Sequence, residues 1–90
     1  MIAKNILVSG MVQGVGFRYA TKQTADELGI KGWVKNNPDG TVQIYVSGED
    51  SKIQQFITKV RNNPTKFARV DDVNITESSN KEIYHDFLIK

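Results

Sequence analysis

A run of strand, helix, strand, strand, helix, strand and a short last strand in ninety residues predicts an α+β fold of the ferredoxin-like, split βαβ kind. Three observations carry that expectation. Two βαβ-like halves fill the chain, with no linker, repeat or low-complexity segment between them. A strongly marked turn, Asn37-Pro38-Asp39-Gly40, joins the middle two strands into a hairpin over 31–46. Finally, folding at this length buries about 60–65% of the unfolded surface, enough for one core and not for two. The expectation is a single domain over residues 1–90, with one mostly antiparallel sheet and both helices on one face.

The first strand, Asn5 to Gly10, rests on the apolar run Ile6-Leu7-Val8. Residues 10–17, Gly-Met-Val-Gln-Gly-Val-Gly-Phe, hold three glycines and form no regular element. A helix follows from about Arg18 to Leu28, with Phe17, Thr21, Ala25 and Leu28 on one face and Gly29 as its left-handed stop. Lys31 to Asn36 is the second strand. Thr41 to Val46 alternates cleanly, turning Val42, Ile44 and Val46 to the core and Thr41, Gln43 and Tyr45 outward. Glu49 and Asp50 open the second helix at its positive end. Its stripe is Ile53, Phe56, Ile57 and Val60, and Asn62-Asn63-Pro64 ends it. The fourth strand, Ala68 to Thr76, breaks phase at Asp71-Asp72 and so predicts a bulge there. Ser78-Ser79-Asn80 turns the chain into a last strand, Ile83 to Ile89. In this topology the first two strands run parallel with the third between them, so both end at the same sheet edge.

Composition narrows the function. Without cysteine there is no disulfide scaffold, thiol nucleophile or thiolate metal site. Twelve Lys and Arg against ten Asp and Glu give a mild +2, and the basic residues are scattered rather than gathered into a nucleic-acid footprint. No apolar stretch approaches the roughly 18 residues that cross a membrane, and Met1-Ile2-Ala3-Lys4-Asn5 lacks the features of a signal peptide. A cytoplasmic monomer without nucleic-acid or membrane partner is expected. His85, the only histidine, has no second ligand nearby in sequence, which argues against a metal site or a histidine-based triad. Adjacent strand residues point to opposite faces, so Asp71 and Asp72 do not form a shared acid–base pair.

The glycine-rich loop is the most informative segment. Set between strand and helix, its free N–H groups can form a nest for an anion beside the positive helix end. Arg18 in the first helical turn is a cation where the helix end is already positive, a conflict that a bound anion would relieve. Its planar fork suits phosphate oxygens. By itself, though, the loop reads equally well as a corner with Arg18 solvated. Neither G-x-x-x-x-G-K-[S/T] nor G-x-G-x-x-G fits, so one small anion is expected rather than a nucleotide cofactor. Asn36, at the end of the second strand, would lie beside this loop and could orient a water through its neutral amide. Taken alone it reads as turn chemistry before Asn37-Pro38-Asp39-Gly40.

Together these residues resemble a known family. Gly10-x-Val12-Gln13-Gly14-Val15-x-Phe17-Arg18 and Gly32-Trp33-Val34-x-Asn36-x-x-Asp39-Gly40-x-Val42 closely resemble the two sequence blocks of the acylphosphatases. The likeness extends to Gly29 and to Tyr84-x-x-Phe87-x-Ile89. It implies the ferredoxin-like fold and metal-independent hydrolysis of the carboxyl–phosphate bond of acyl phosphates, with no cofactor. It also implies that Arg18 binds the phosphoryl group together with the backbone N–H groups of the loop Met11, Val12, Gln13, Gly14, Val15, Gly16 and Phe17, and that Asn36 positions the attacking water. Inorganic phosphate or sulfate would compete for the site. The departures are small: Gln43 stands where many members carry Glu, Met11 and Gly16 occupy variable positions, and the extra glycine loosens the loop. Two other readings start from the same fold. An RNA-binding module needs exposed aromatics on the third strand, which would offer only Tyr45. A non-catalytic sensing or maturation domain would bind the anion without turnover.

Overall fold

The computed structural model describes residues 1–62, 65–79 and 83–90. Its elements are β1 (Ile2–Met11), α1 (Phe17–Leu28), β2 (Lys31–Asn36), β3 (Val42–Gly48), α2 (Asp50–Arg61), β4 (Arg69–Glu77) and β5 (Phe87–Ile89). The strands form one five-stranded sheet in the order β4-β1-β3-β2-β5. Only the β2–β5 pair is parallel; the other three are antiparallel. This is the ferredoxin-like arrangement expected from the sequence.

The core follows from two periodicities meeting. Ile6 pairs with Ile44 and Val8 with Val42, while Val34 pairs with Ile44, so these residues share one sheet face. The helical stripes pack on that face: Phe17 and Ala25 of α1, and Ile53, Phe56, Ile57 and Val60 of α2. The α1 stripe includes Thr21, which is fully buried. Gly29 ends α1 in the left-handed region, its N–H bonded back to the last turn. Gly32 is needed for a different reason, since a Cβ there would overlap the Tyr45 carbonyl of the paired strand. The expected bulge is present: Ser9 pairs with Asp72 and Gly10 with Val70, which leaves Asp71 as the extra residue.

Three expectations need correcting. β1 begins at Ile2 rather than Asn5, because its first residues pair with β3 on one side (Ile2 with Gly48, Ala3 with Ser47) whatever their own hydropathy. The last strand is shorter than 83–89. Only Phe87–Ile89 pair with β2, and residues 83–86 run outside the ladder with Tyr84 laid against the sheet. Tyr45 is 1% exposed rather than solvent-facing. It stacks on Trp33 at 6.1 Å between centroids and meets the Tyr84 ring at 5.4 Å. Trp33 Nε1 in turn donates to Tyr84 Oη at 3.2 Å. Covering Tyr45 removes the only aromatic that β3 could have offered to a stacked base. Asn63 and Pro64 of the helix stop, and Asn80 of the turn before the last strand, lie outside the described residues. Among the described residues no helix is long and apolar enough to cross a membrane.

Candidate active site

The loop between β1 and α1 is shaped by two glycines. Gly14 and Gly16 have φ of +75° and +78°, a region that other residues enter at a cost of roughly 1 kcal/mol. Gly16 is also the N-cap of α1, and it supplies no side chain to satisfy the first helical N–H groups. No acidic residue occupies the first turn either. The helix proper is closed by the bond from Ala20 N to Gly16 O at 3.1 Å, and no N–H from Gly14 to Tyr19 donates to another group among the described residues. A row of unused donors therefore points outward at the positive end of a helix.

Arg18 adds a full charge to this end. Its Nη1 donates to the main-chain oxygen of Lys90 at 2.9 Å, which anchors the guanidinium against the segment after β5. The ion pairs of the described residues are Lys22–Asp26 and Arg69–Asp71, so no Asp or Glu side chain among them is paired with Arg18. Arg18 shares a cavity of about 190 Å³ with Val12, Gly14, Gly16, Phe17, Tyr19, Asn36 and Ile89. That volume lies below the roughly 300–1,000 Å³ of pockets for drug-sized ligands and suits a small anion. Asn36 reaches the cavity from the end of β2, on the same face as Val34. Its Oδ1 is buried with no hydrogen-bond partner. A buried acceptor left in that state costs about 1–3 kcal/mol, so an O–H donor bound in the cavity would be favoured. A larger cavity of about 430 Å³ lies at the opposite end of the sheet, beside Lys4, Lys31, Ser47 and Glu77, away from the glycine-rich loop.

The loop residues named from sequence divide in two. Val12, Gly14, Gly16, Phe17 and Arg18 line the cavity with Asn36. The side chains of Met11, Gln13 and Val15 go elsewhere. Met11 closes the β1–β4 ladder opposite Arg69, and Val15 packs against the core. Gln13 turns into the β2–β3 hairpin, where its Nε2 donates to Asn37 O and Thr41 O at 2.8 Å each. Asn37 Nδ2 bonds Thr41 Oγ1 at 3.0 Å, and Asp39 accepts from both the N–H and the hydroxyl of Thr41. The Thr41 hydrogen bonds, side chain first, hold the Asp39 carboxyl below its usual pKa of 3.8. The hairpin that carries Asn36 is thus tied to the loop by Gln13 and made rigid within itself.

Sequence reasoning missed Tyr19 and Ile89 at the cavity. Tyr19 had a signal, its place beside Arg18 in the first helical turn. Ile89 had only its place in the family likeness at the end of the chain, because it is the parallel pairing of β5, with Ile89 opposite Val34, that brings it there.

Comparison with known proteins gives the family of this fold. A family model described as acylphosphatase matches residues 4–89. The acylphosphatase of Bacillus subtilis is 43% identical over 89 residues, covering 99% of this chain and 97% of that protein. The crystal structure of the Bacillus subtilis acylphosphatase superposes with a TM-score of 0.95 over 100% of this chain and 99% of that one, at 42% identity. A structure of full-length HypF in a phosphate- and nucleotide-bound form matches with a TM-score of 0.90 at 37% identity, covering 99% of this chain and 12% of that one. The chain belongs to the acylphosphatase family, whose reaction is the hydrolysis of acyl phosphates.

Proposed function

We propose that water attacks phosphorus directly in this site, without a metal and without a phosphorylated side chain. The phosphoryl group lies against the free N–H groups of the Gly14–Tyr19 stretch and the Arg18 guanidinium. Asn36 Oδ1 accepts a hydrogen bond from the attacking water and so points its lone pair at phosphorus. A new P–O bond forms from water as the bond between phosphorus and the acyl oxygen breaks, giving a carboxylate and inorganic phosphate. The observation that carries this reading is one small cavity that holds a guanidinium paired with no Asp or Glu side chain among the described residues, and a buried amide oxygen without a partner.

The leaving group explains why so small a site suffices. A carboxylate whose conjugate acid has a pKa of about 4 departs without a proton, so no general acid is required. Phosphoryl transfer through a loose transition state asks mainly for positioning and for stabilisation of charge on the transferring oxygens. Loop amides and one guanidinium supply both. Among the described residues no group of three His, Cys, Asp or Glu side chains could hold a metal ion. Asn36 is a neutral amide, so it positions the water and does not act as its base.

Inorganic phosphate or sulfate competes for the same donors, a reading supported by the phosphate-bound form described for HypF. The mild net charge of +2, with basic residues scattered along the sequence, supports a site that takes a small molecule rather than nucleic acid, and a cytoplasmic monomer is proposed with it. The test follows benzoyl phosphate hydrolysis in excess EDTA by the wild type and by Arg18→Ala. Turnover that resists EDTA and falls at least a hundredfold in the variant is expected, the typical effect of losing one preorganised charge stabiliser. A folded protein that binds phosphate without turnover would instead favour a sensing or maturation module. Recovery of a phosphorylated side chain during turnover would refute direct attack.

A further inference from the structure

We propose that Tyr19, with Ile89 beside it, forms an acyl-binding lip that selects flat, apolar acyl groups over short ones. The proposal rests on the reading of the site given above, and it assigns the half of the substrate that the phosphate loop does not touch. The lining of the cavity divides by chemistry. Gly14, Gly16 and Arg18 face the phosphoryl group, Asn36 holds the water, and Val12 and Phe17 are each 1% exposed and belong to the core. Tyr19 and Ile89 are what remains. Tyr19 is 63% exposed and Ile89 41% exposed, and of the large exposed apolar side chains described they alone line this cavity.

A single exposed apolar side chain is ordinary on a protein surface. Two on the rim of one small anion cavity have a direct consequence. At about 190 Å³ the cavity takes the phosphoryl group and leaves no room for a large acyl group within it. The acyl group therefore projects past the rim, where the Tyr19 ring offers a flat apolar face and Ile89 an aliphatic wall. No Asp or Glu lines the cavity to favour a cationic acyl group. An aromatic acyl group can stack on the ring, whereas an acetyl group ends too close to phosphorus to cover it. Stacking of this kind adds about 0.5–1.5 kcal/mol beyond area burial, which corresponds to about three- to tenfold in kcat/KM.

The test measures kcat/KM for benzoyl phosphate and for acetyl phosphate in the wild type, Tyr19→Phe and Tyr19→Ala, with the inhibition constant of inorganic phosphate for each. The readout is the ratio of the two substrates. Tyr19→Ala is expected to lower the benzoyl-to-acetyl ratio about three- to tenfold, and Tyr19→Phe to keep it within twofold, because the ring and not the hydroxyl makes the contact. A ratio unchanged in Tyr19→Ala overturns the proposal. So does a Tyr19→Ala effect equal on both substrates and matched by weaker phosphate inhibition, which would place Tyr19 with the phosphate loop. Failure of the wild type to hydrolyse either substrate would be a different result, since it would refute the reading of the site itself.

Discussion

Replacing Gln13 by Met should loosen the phosphate loop from the hairpin that carries Asn36, and the size of the effect can be worked from the hydrogen bonds. The substitution keeps side-chain length and removes only the amide. It deletes two bonds of 2.8 Å, from Nε2 to Asn37 O and to Thr41 O. Neither carbonyl is left bare: Asn37 O still accepts from Gly40 N at 3.2 Å, and Thr41 O from Asn37 N at 2.8 Å. With no acceptor orphaned, the loss falls in the lower half of the usual range, about 0.5–1 kcal/mol per bond and about 1–2 kcal/mol in all. For a domain of this length that lowers Tm by about 5–15 °C. Urea unfolding should show a lower midpoint at an unchanged m-value. Turnover should fall by more than phosphate affinity does, because the loop keeps its own N–H groups while its distance from Asn36 becomes loose. Gln13→Glu sharpens the test. At neutral pH its carboxylate offers only acceptors to two carbonyls, so it should be less stable than Gln13→Met. Its folded pKa is then raised above the unfolded value of about 4.3, so the extra deficit is absent below that pH and grows as pH rises through the folded pKa. A Gln13→Met protein within about 0.3 kcal/mol of wild type would refute the argument.

Three further outcomes are expected. Asn36→Ala should lower kcat while phosphate inhibition changes little if, as proposed, the amide holds water rather than phosphate; weaker phosphate inhibition at normal kcat would contradict that role. Thr21→Val should stabilise by about 1 kcal/mol, because Thr21 Oγ1 is buried with no partner and valine keeps its shape; calorimetry showing a loss would mean that the hydroxyl is bonded in solution. Asp39 has a folded pKa below 3.8, so the stability it contributes is complete above that pH and is lost as pH falls through the lower folded value. Asp39→Asn should flatten that acid limb of a stability–pH profile, and an unchanged limb would show that the Thr41 bonds do not hold the carboxylate.

Much of this protein is written locally. The helical stripes, the stops at Gly29 and Asn62, and the turn at Asn37–Gly40 depend on residues a few positions apart, so periodicity and turn chemistry reveal them. The phosphate loop was legible for the same reason, since its glycines and Arg18 are contiguous, and the two sequence blocks also pointed to the family. What depends on distant pairing was not legible. Tyr45 looked solvent-facing from its alternation, yet Trp33 and a chain segment almost forty residues further on cover it. The side-chain amide of Gln13 is drawn to the two hairpin carbonyls, which no local pattern announces. Ile89 and the Lys90 oxygen reach the site because β5 adds in parallel to the edge of β2, at a sequence separation of over fifty residues. The sequence by itself determined the elements and the glycine-rich loop before α1, because each is specified by neighbours along the chain. Tertiary structure decided which side chains line the cavity, because strand pairing across the sheet, and not sequence distance, sets who faces it.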